Sequence, residues 1–135
     1  MVLILPINDK DEIYLELQYR DAFDKTLLEI VAGNIEHDAD PLESAKRELL
    51  EETGLKADNW RKLATLELSV NMNSPLHIFL ATGLTEEKAQ LNDDEVIEIV
   101  KMPFDEAVKK AVSGEFISAG QVAALLLYNS LRKNL

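Results

Sequence analysis

The chain has 135 residues, 47% of them hydrophobic and only five Gly and four Pro, which is enough for one buried core and too little for two. A formal charge of −11 argues against a nucleic acid polymer as partner, because such binding needs clustered Lys and Arg, and the absence of Cys excludes disulfides, thiolate metal sites and a Cys nucleophile. The expectation is a single domain over residues 1–135 in a reducing cytoplasm: the apolar start has no preceding basic residue and breaks at Asn8-Asp9, and no run reaches the roughly 18 apolar residues of a membrane span.

In chain order, the apolar run Val2 to Ile7, the turn-like Asn8 to Asp11, and Ile13, Leu15, Leu17 and Tyr19 alternating with polar neighbours predict a β-hairpin. Leu27 to Val31 predicts a third strand ending at Ala32-Gly33. A helix should begin at Asp40 as N-cap, with Pro41 at its first position and Glu43 completing a capping box, and end at Gly54. Leu42, Ala45 and Leu49 should face the core. Strands follow at Leu63–Val70, Leu76–Thr82 and Val96–Met102, the second apolar enough to be central. One helix follows Pro103 and stops near Gly114. Another runs from Ser118 to about Lys133 and is apolar almost all round, so it is buried on more than one side, within the domain or in a homodimer contact. The sum is a mixed sheet with helices packed on it, an α/β sandwich.

The chemistry lies in Gly33 to Leu55. On the predicted helix Glu48 and Glu52 stand four apart and Glu48 and Glu51 three apart, with Cβ atoms roughly 5–6 Å from one another. Such carboxylates repel, and each raises the other's pKa. A hard cation such as Mg²⁺, which takes a few carboxylates together with water and substrate phosphate, removes that penalty. It would also supply the positive charge that an acidic chain needs to hold a phosphate compound. A solvated acidic face, with Lys46 and Arg47 in ordinary surface pairs, is the commoner outcome for such a run taken alone.

The spacing of Gly33, Arg47, Glu48, Leu49, Glu51, Glu52, Gly54 and Leu55 resembles the signature of the Nudix hydrolases at eight of its nine fixed positions. The ninth, a Glu in the loop before the helix, is Ala39 here; Glu36, Asp38 and Asp40 stand nearby as substitutes. Gln18-Tyr19-Arg20 ahead of Leu28 to Gly33, Asp40 to Glu43, Pro103 to Ala107 and the closing Ala123 to Leu127 look like the ADP-ribose pyrophosphatase branch.

The resemblance implies an α/β/α sandwich with a mixed β-sheet, and Mg²⁺-dependent cleavage of a nucleoside diphosphate derivative into two monophosphates, with Mn²⁺ as a substitute metal. ADP-ribose or a nucleotide sugar is the implied small-molecule substrate. It makes Glu48 and Glu52 the principal metal ligands, Glu51 a further or water-mediated one, and the Ala32 carbonyl a ligand beside them. Arg47 would orient the glutamates, Gly33 and Gly54 would support the site, and Arg20 would contact phosphate or ribose. The branch places a catalytic acid in the loop holding Asp93, Asp94 and Glu95, with Glu95 the first choice of water-activating base and Asp93 the second. His37 and His77 lack ligand spacing and read as structural, and Trp60 reads as packing at the core edge, with stacking on a base the alternative. The competing readings are a nucleoside triphosphate pyrophosphohydrolase and, because of Ala39, a non-catalytic nucleotide-binding module.

Overall fold

The computed structural model describes residues 1–89 and 96–134. The elements are β1 (Val2–Pro6), β2 (Glu12–Arg20), β3 (Lys25–Glu29), β4 (Val31–Gly33), α1 (Pro41–Thr53), β5 (Leu55–Ser69), β6 (Met72–Glu86), β7 (Ile97–Pro103), α2 (Phe104–Val112) and α3 (Ala119–Leu131), closed by a 3₁₀ turn at Arg132–Asn134. They form a mixed sheet in the order β4-β1-β6-β5, with β1 parallel to β6, and an antiparallel sheet in the order β3-β2-β7. The α/β sandwich expected from the sequence is present. Among the described residues, no helix is long and apolar enough to cross a membrane.

The unbroken apolar run of β1 has a direct cause, because the strand is covered on both faces. Val2 and Ile4 pack with Phe79 and Ala81 against Ala45 and Leu49 of α1, while Leu3 and Leu5 join Ile78, Phe104 and Leu125 on the other side. β6 lies between β1 and β5, which makes Leu76–Thr82 interior as its composition suggested. β5 and β6 each extend to 15 residues, well beyond their apolar stretches.

Two local readings are corrected. The runs Val2–Ile7 and Ile13–Tyr19 do not form a hairpin ladder: they lie in different sheets and share one bridge, Ile7 to Ile13. The turn between them does form, since Asn8 Oδ1 accepts from the backbone N–H of Lys10 and of Glu12, both at 3.0 Å. Likewise Leu27 to Gly33 is two strands. At the fully buried Ile30 the backbone N–H leaves the ladder and donates to Gln121 Oε1 of α3 at 2.8 Å, and the chain crosses from one sheet to the other.

The caps of α1 are local and form as the sequence suggests. Asp40 accepts from the Glu43 N–H at 3.1 Å, and Gly54, with φ of 75°, donates its N–H to Leu50 O at 2.9 Å. The Glu43 side chain turns to Lys46 at 3.5 Å, so only half of the capping box is made. Along α3, Ala124, Leu125 and Tyr128 are buried in the domain core.

Candidate active site

Strand alternation builds one wall of a cleft. On β2, Ile13 and Leu15 point into the core, while Glu16, Gln18 and Arg20 line a cavity of about 300 Å³. Ala32 and Gly33 at the end of β4, with Glu48 and Glu52 of α1, line the same cavity. The predicted residues Arg20, Ala32, Gly33, Glu48 and Glu52 are therefore brought together from three elements.

Gly33 owes its place to closeness. A Cβ there would stand 2.3 Å from both Cγ and Cδ of Glu48, so only glycine lets α1 lower this carboxylate onto the end of β4. Gly54 has a different role. Its left-handed backbone ends α1, and a Cβ would meet Glu87 O at 2.5 Å and Ala89 N at 2.8 Å. The segment leading toward Asp93 and Glu95 is thus seated on the end of the same helix; Asp93 and Glu95 themselves lie outside the described residues.

Arg47 sits between acids, with its guanidinium 3.3 Å from Glu48, 3.5 Å from Glu51 and 3.9 Å from Glu36. That arrangement suits an orienting role. Glu51 is turned to this pair and does not line the cleft, which separates it from Glu48 and Glu52. Of the acids near Ala39, Glu36 is the one that reaches Arg47; Asp38 pairs with His37 and Asp40 caps the helix. Trp60 packs edge-on against Phe79 with its indole N–H on Ala57 O, a structural placement. Neither His37 nor His77 lines the cleft.

Two residues escaped the sequence reading. Glu29 is buried and grips Arg20 through two hydrogen bonds of 2.7 Å, which hold the guanidinium in place and raise its pKa further. Glu16, directly opposite Glu29 in the β2–β3 register, is 3% exposed. Burial first, then a hydrogen bond shared with Glu52 and the charges of Glu52 and Glu29, push its pKa up to about 10. The phase shared with Arg20 on β2 was the available signal, but such alternation is equally that of a solvent-facing pleat.

The donor set fits a hard divalent cation. A buried carboxyl stands against Glu52, and Glu16 Oε2 has no hydrogen-bond donor beside it among the described residues. No three acidic or imidazole side chains among the described residues form a ready-made cage. Glu48, Glu52 and the Ala32 carbonyl would then share the ion with water and substrate phosphate, the manner usual for Mg²⁺.

Comparison with known proteins decides the family. The family model described as NUDIX domain matches residues 1–120. The chain belongs to the Nudix family. It is 33% identical over 137 residues to the ADP-ribose pyrophosphatase of Bacillus subtilis (strain 168), a match covering 99% of this chain and 74% of that protein. It is 36% identical over 109 residues to the GDP-mannose pyrophosphatase of Yersinia enterocolitica serotype O:8 / biotype 1B, covering 78% of this chain and 56% of that one. A solved structure titled "Crystal structure of ADP compounds hydrolase" superposes with a TM-score of 0.87 at 27% identity, over 98% of this chain and 72% of the other. The resemblance to the ADP-ribose pyrophosphatase branch holds, and the protein is a Nudix pyrophosphohydrolase. This Nudix chain spans about three quarters of the length of the first of these relatives and little more than half of the second.

Proposed function

We propose that this Nudix domain hydrolyses the pyrophosphate of a nucleoside diphosphate derivative, ADP-ribose or a nucleotide sugar, in a Mg²⁺-dependent reaction that yields two monophosphates. The observation that carries the reading is the gathering of Glu48, Glu52, Ala32, Gly33 and Arg20 around one cleft, with Glu48 packed directly on Gly33.

Glu48, Glu52 and the Ala32 carbonyl would hold the metal, with Mn²⁺ an acceptable substitute; Glu51, turned to Arg47 outside the cleft, would reach it only through water. When bound, such an ion polarises phosphoryl oxygens and lowers the pKa of an attacking water. The remaining work falls to the chain. Arg20, held by Glu29, keeps guanidinium donors for a phosphate or ribose oxygen, and because Glu29 fixes its geometry little side-chain entropy is lost on binding. Arg47 restrains Glu48 and Glu51 so that α1 presents its carboxylates in one arrangement. Glu95, or failing it Asp93, accepts the proton of the attacking water, since a carboxylate engaged by metal is a poor base.

A panel of ADP-ribose, GDP-mannose and nucleoside triphosphates with Mg²⁺ or Mn²⁺ tests the reading. AMP and ribose 5-phosphate from ADP-ribose support it; release of pyrophosphate from triphosphates alone supports a triphosphate pyrophosphohydrolase instead. The cysteine-free composition supports a cytoplasmic setting. Homodimerisation through α3 is part of the proposal: Leu126 is exposed there beside half-buried Val122, Ala123 and Leu127, and light scattering at high concentration tests it.

A further inference from the structure

A second cavity, of about 310 Å³, lies on the far side of the Arg20–Glu29 pair and shares both residues with the catalytic cleft. Its walls differ from those of the cleft. Phe23, Leu27 and Ile117 make much of them apolar; besides the shared Arg20 and Glu29, the polar groups are Asp21 in the β2–β3 turn and Ser118 and Gln121 where α3 begins. A volume at the low end of the roughly 300–1,000 Å³ typical of small-molecule sites suits one ring system with its immediate attachment. The rest of a larger ligand would have to lie in the adjoining cleft.

Phe23 is 56% exposed and Ile117 45%, so neither is spent on the core. The turn that carries Phe23 is well tied. The Phe23 N–H donates to Arg20 O at 3.0 Å, Asp24 N–H donates to Asp21 O at 3.2 Å, and the Tyr19 hydroxyl donates to Asp24 across the turn. An aromatic side chain on such a turn, with only two rotatable bonds, costs little entropy to use. Inside, Gln121 Oε1 is committed to the Ile30 N–H, which leaves the amide NH₂ as the donor of that side chain. Ser118 occupies the N-cap of α3 without a side-chain capping bond, so its hydroxyl is not used by the helix.

We propose that this cavity is the nucleobase subsite: the base stacks on Phe23 and meets the Gln121 amide and Ser118 hydroxyl at its edge, while the diphosphate crosses Arg20 into the cleft. The inference rests on the pyrophosphohydrolase reading for what occupies the cleft. An apolar slot with an exposed aromatic suits a flat heterocycle better than a sugar, whose hydroxyls would lose water without enough partners. A rival cavity of about 450 Å³ contains Trp60 and the cations Lys46, Arg47 and Lys56. It shares no lining residue with the cleft, and each of those cations already faces a carboxylate, Glu43, Glu51 and Glu87 respectively.

Calorimetric titration of the full chain with AMP and with ribose 5-phosphate, in the parent and in Phe23→Ala, Ile117→Ser and Trp60→Phe, tests the assignment. Loss of base stacking weakens AMP binding by roughly tenfold in the first two variants. Ribose 5-phosphate binding stays at the parental level in all, and Trp60→Phe leaves AMP unchanged. In turnover of ADP-ribose, KM rises by a similar factor in the two cavity variants while kcat is held. Parental AMP affinity in both cavity variants, AMP affinity lost only in Trp60→Phe, or a parent that fails to bind AMP at millimolar concentration overturns the subsite. The two readings fail separately. A parent that binds AMP through Phe23 but hydrolyses no nucleotide contradicts the enzyme and leaves the subsite, and a hydrolase indifferent to Phe23 does the reverse.

Discussion

Glu16 and Glu29 stand directly opposite one another on β2 and β3, both buried, and only Glu29 has an arginine to hold it. Glu16 faces Glu52 instead, so the metal-free site contains a carboxyl whose ionised form is strongly disfavoured.

The first prediction concerns pH. The folded pKa of Glu16, about 10, lies above its ordinary 4.5, so the folded chain binds the proton more tightly than the unfolded one. Stability from this group is complete below about pH 4.5 and declines as pH rises toward 10, by up to about 1.4 kcal/mol per pH unit. Without metal, the melting temperature of the parent should fall between pH 6 and 9, and Glu16→Gln should flatten that fall. Superimposable pH profiles for the two would contradict the burial of this carboxyl.

Gly33→Ala should spoil catalysis without spoiling the fold. The added methyl collides with Glu48 at 2.3 Å and pushes the carboxylate out of place, while the backbone there is open to any residue. A displacement of about 1 Å at a reacting centre costs on the order of 10²-fold in rate, so kcat should drop by that much with an unchanged circular dichroism spectrum.

Much of α1 was legible in the sequence because its determinants are local: Asp40, Pro41 and Gly54 act within a turn of their own positions. The supposed hairpin misled for the opposite reason. Asn8 makes its turn, but β1 then pairs with β6, 75 residues further along the chain, and nothing in Val2–Pro6 names that partner. The break at Ile30 was equally hidden, since the acceptor for its N–H is Gln121. Glu16 and Gln18 alternate with apolar residues as an exposed pleat would, and only the placement of Glu52 against Glu16 turns that face into a cleft.

At Gly54 the backbone itself is the constraint. Substitution by Ala forces a left-handed residue and a clash with Glu87 O, a combination costing about 1–3 kcal/mol and several degrees of melting temperature. Because the same contact seats the stem leading toward Asp93 and Glu95, kcat at a permissive temperature should fall as well.

Water activation should depend on that loop. Glu95→Gln is expected to lower kcat by roughly 10²–10⁴-fold, the usual contribution of a positioned base, with little change in metal affinity. Asp93→Asn belongs beside it, and near-parental kcat in the double variant at saturating Mg²⁺ would move the base elsewhere.

Ala39 sets a subtler test. Glu36 stands 3.9 Å from Arg47, which makes it the acid to test for the support that the missing loop glutamate would give. Glu36→Gln should reduce turnover or raise the Mg²⁺ requirement by a few-fold, the small effect expected of an exposed pair. Ala39→Glu should restore it. Indifference of turnover to both changes would remove the loop acids from the account.

The most direct test compares Mg²⁺-dependent hydrolysis of ADP-ribose by the parent with that by Glu48→Gln and Glu52→Gln, each checked for fold by metal-free melting. The parent should release AMP and ribose 5-phosphate, and both variants should lose turnover while keeping the fold, with Glu52→Gln melting at or above the metal-free parent because it removes the charge set against Glu16. Full activity with normal Mg²⁺ dependence in both variants would contradict the assignment of this cleft as the catalytic centre.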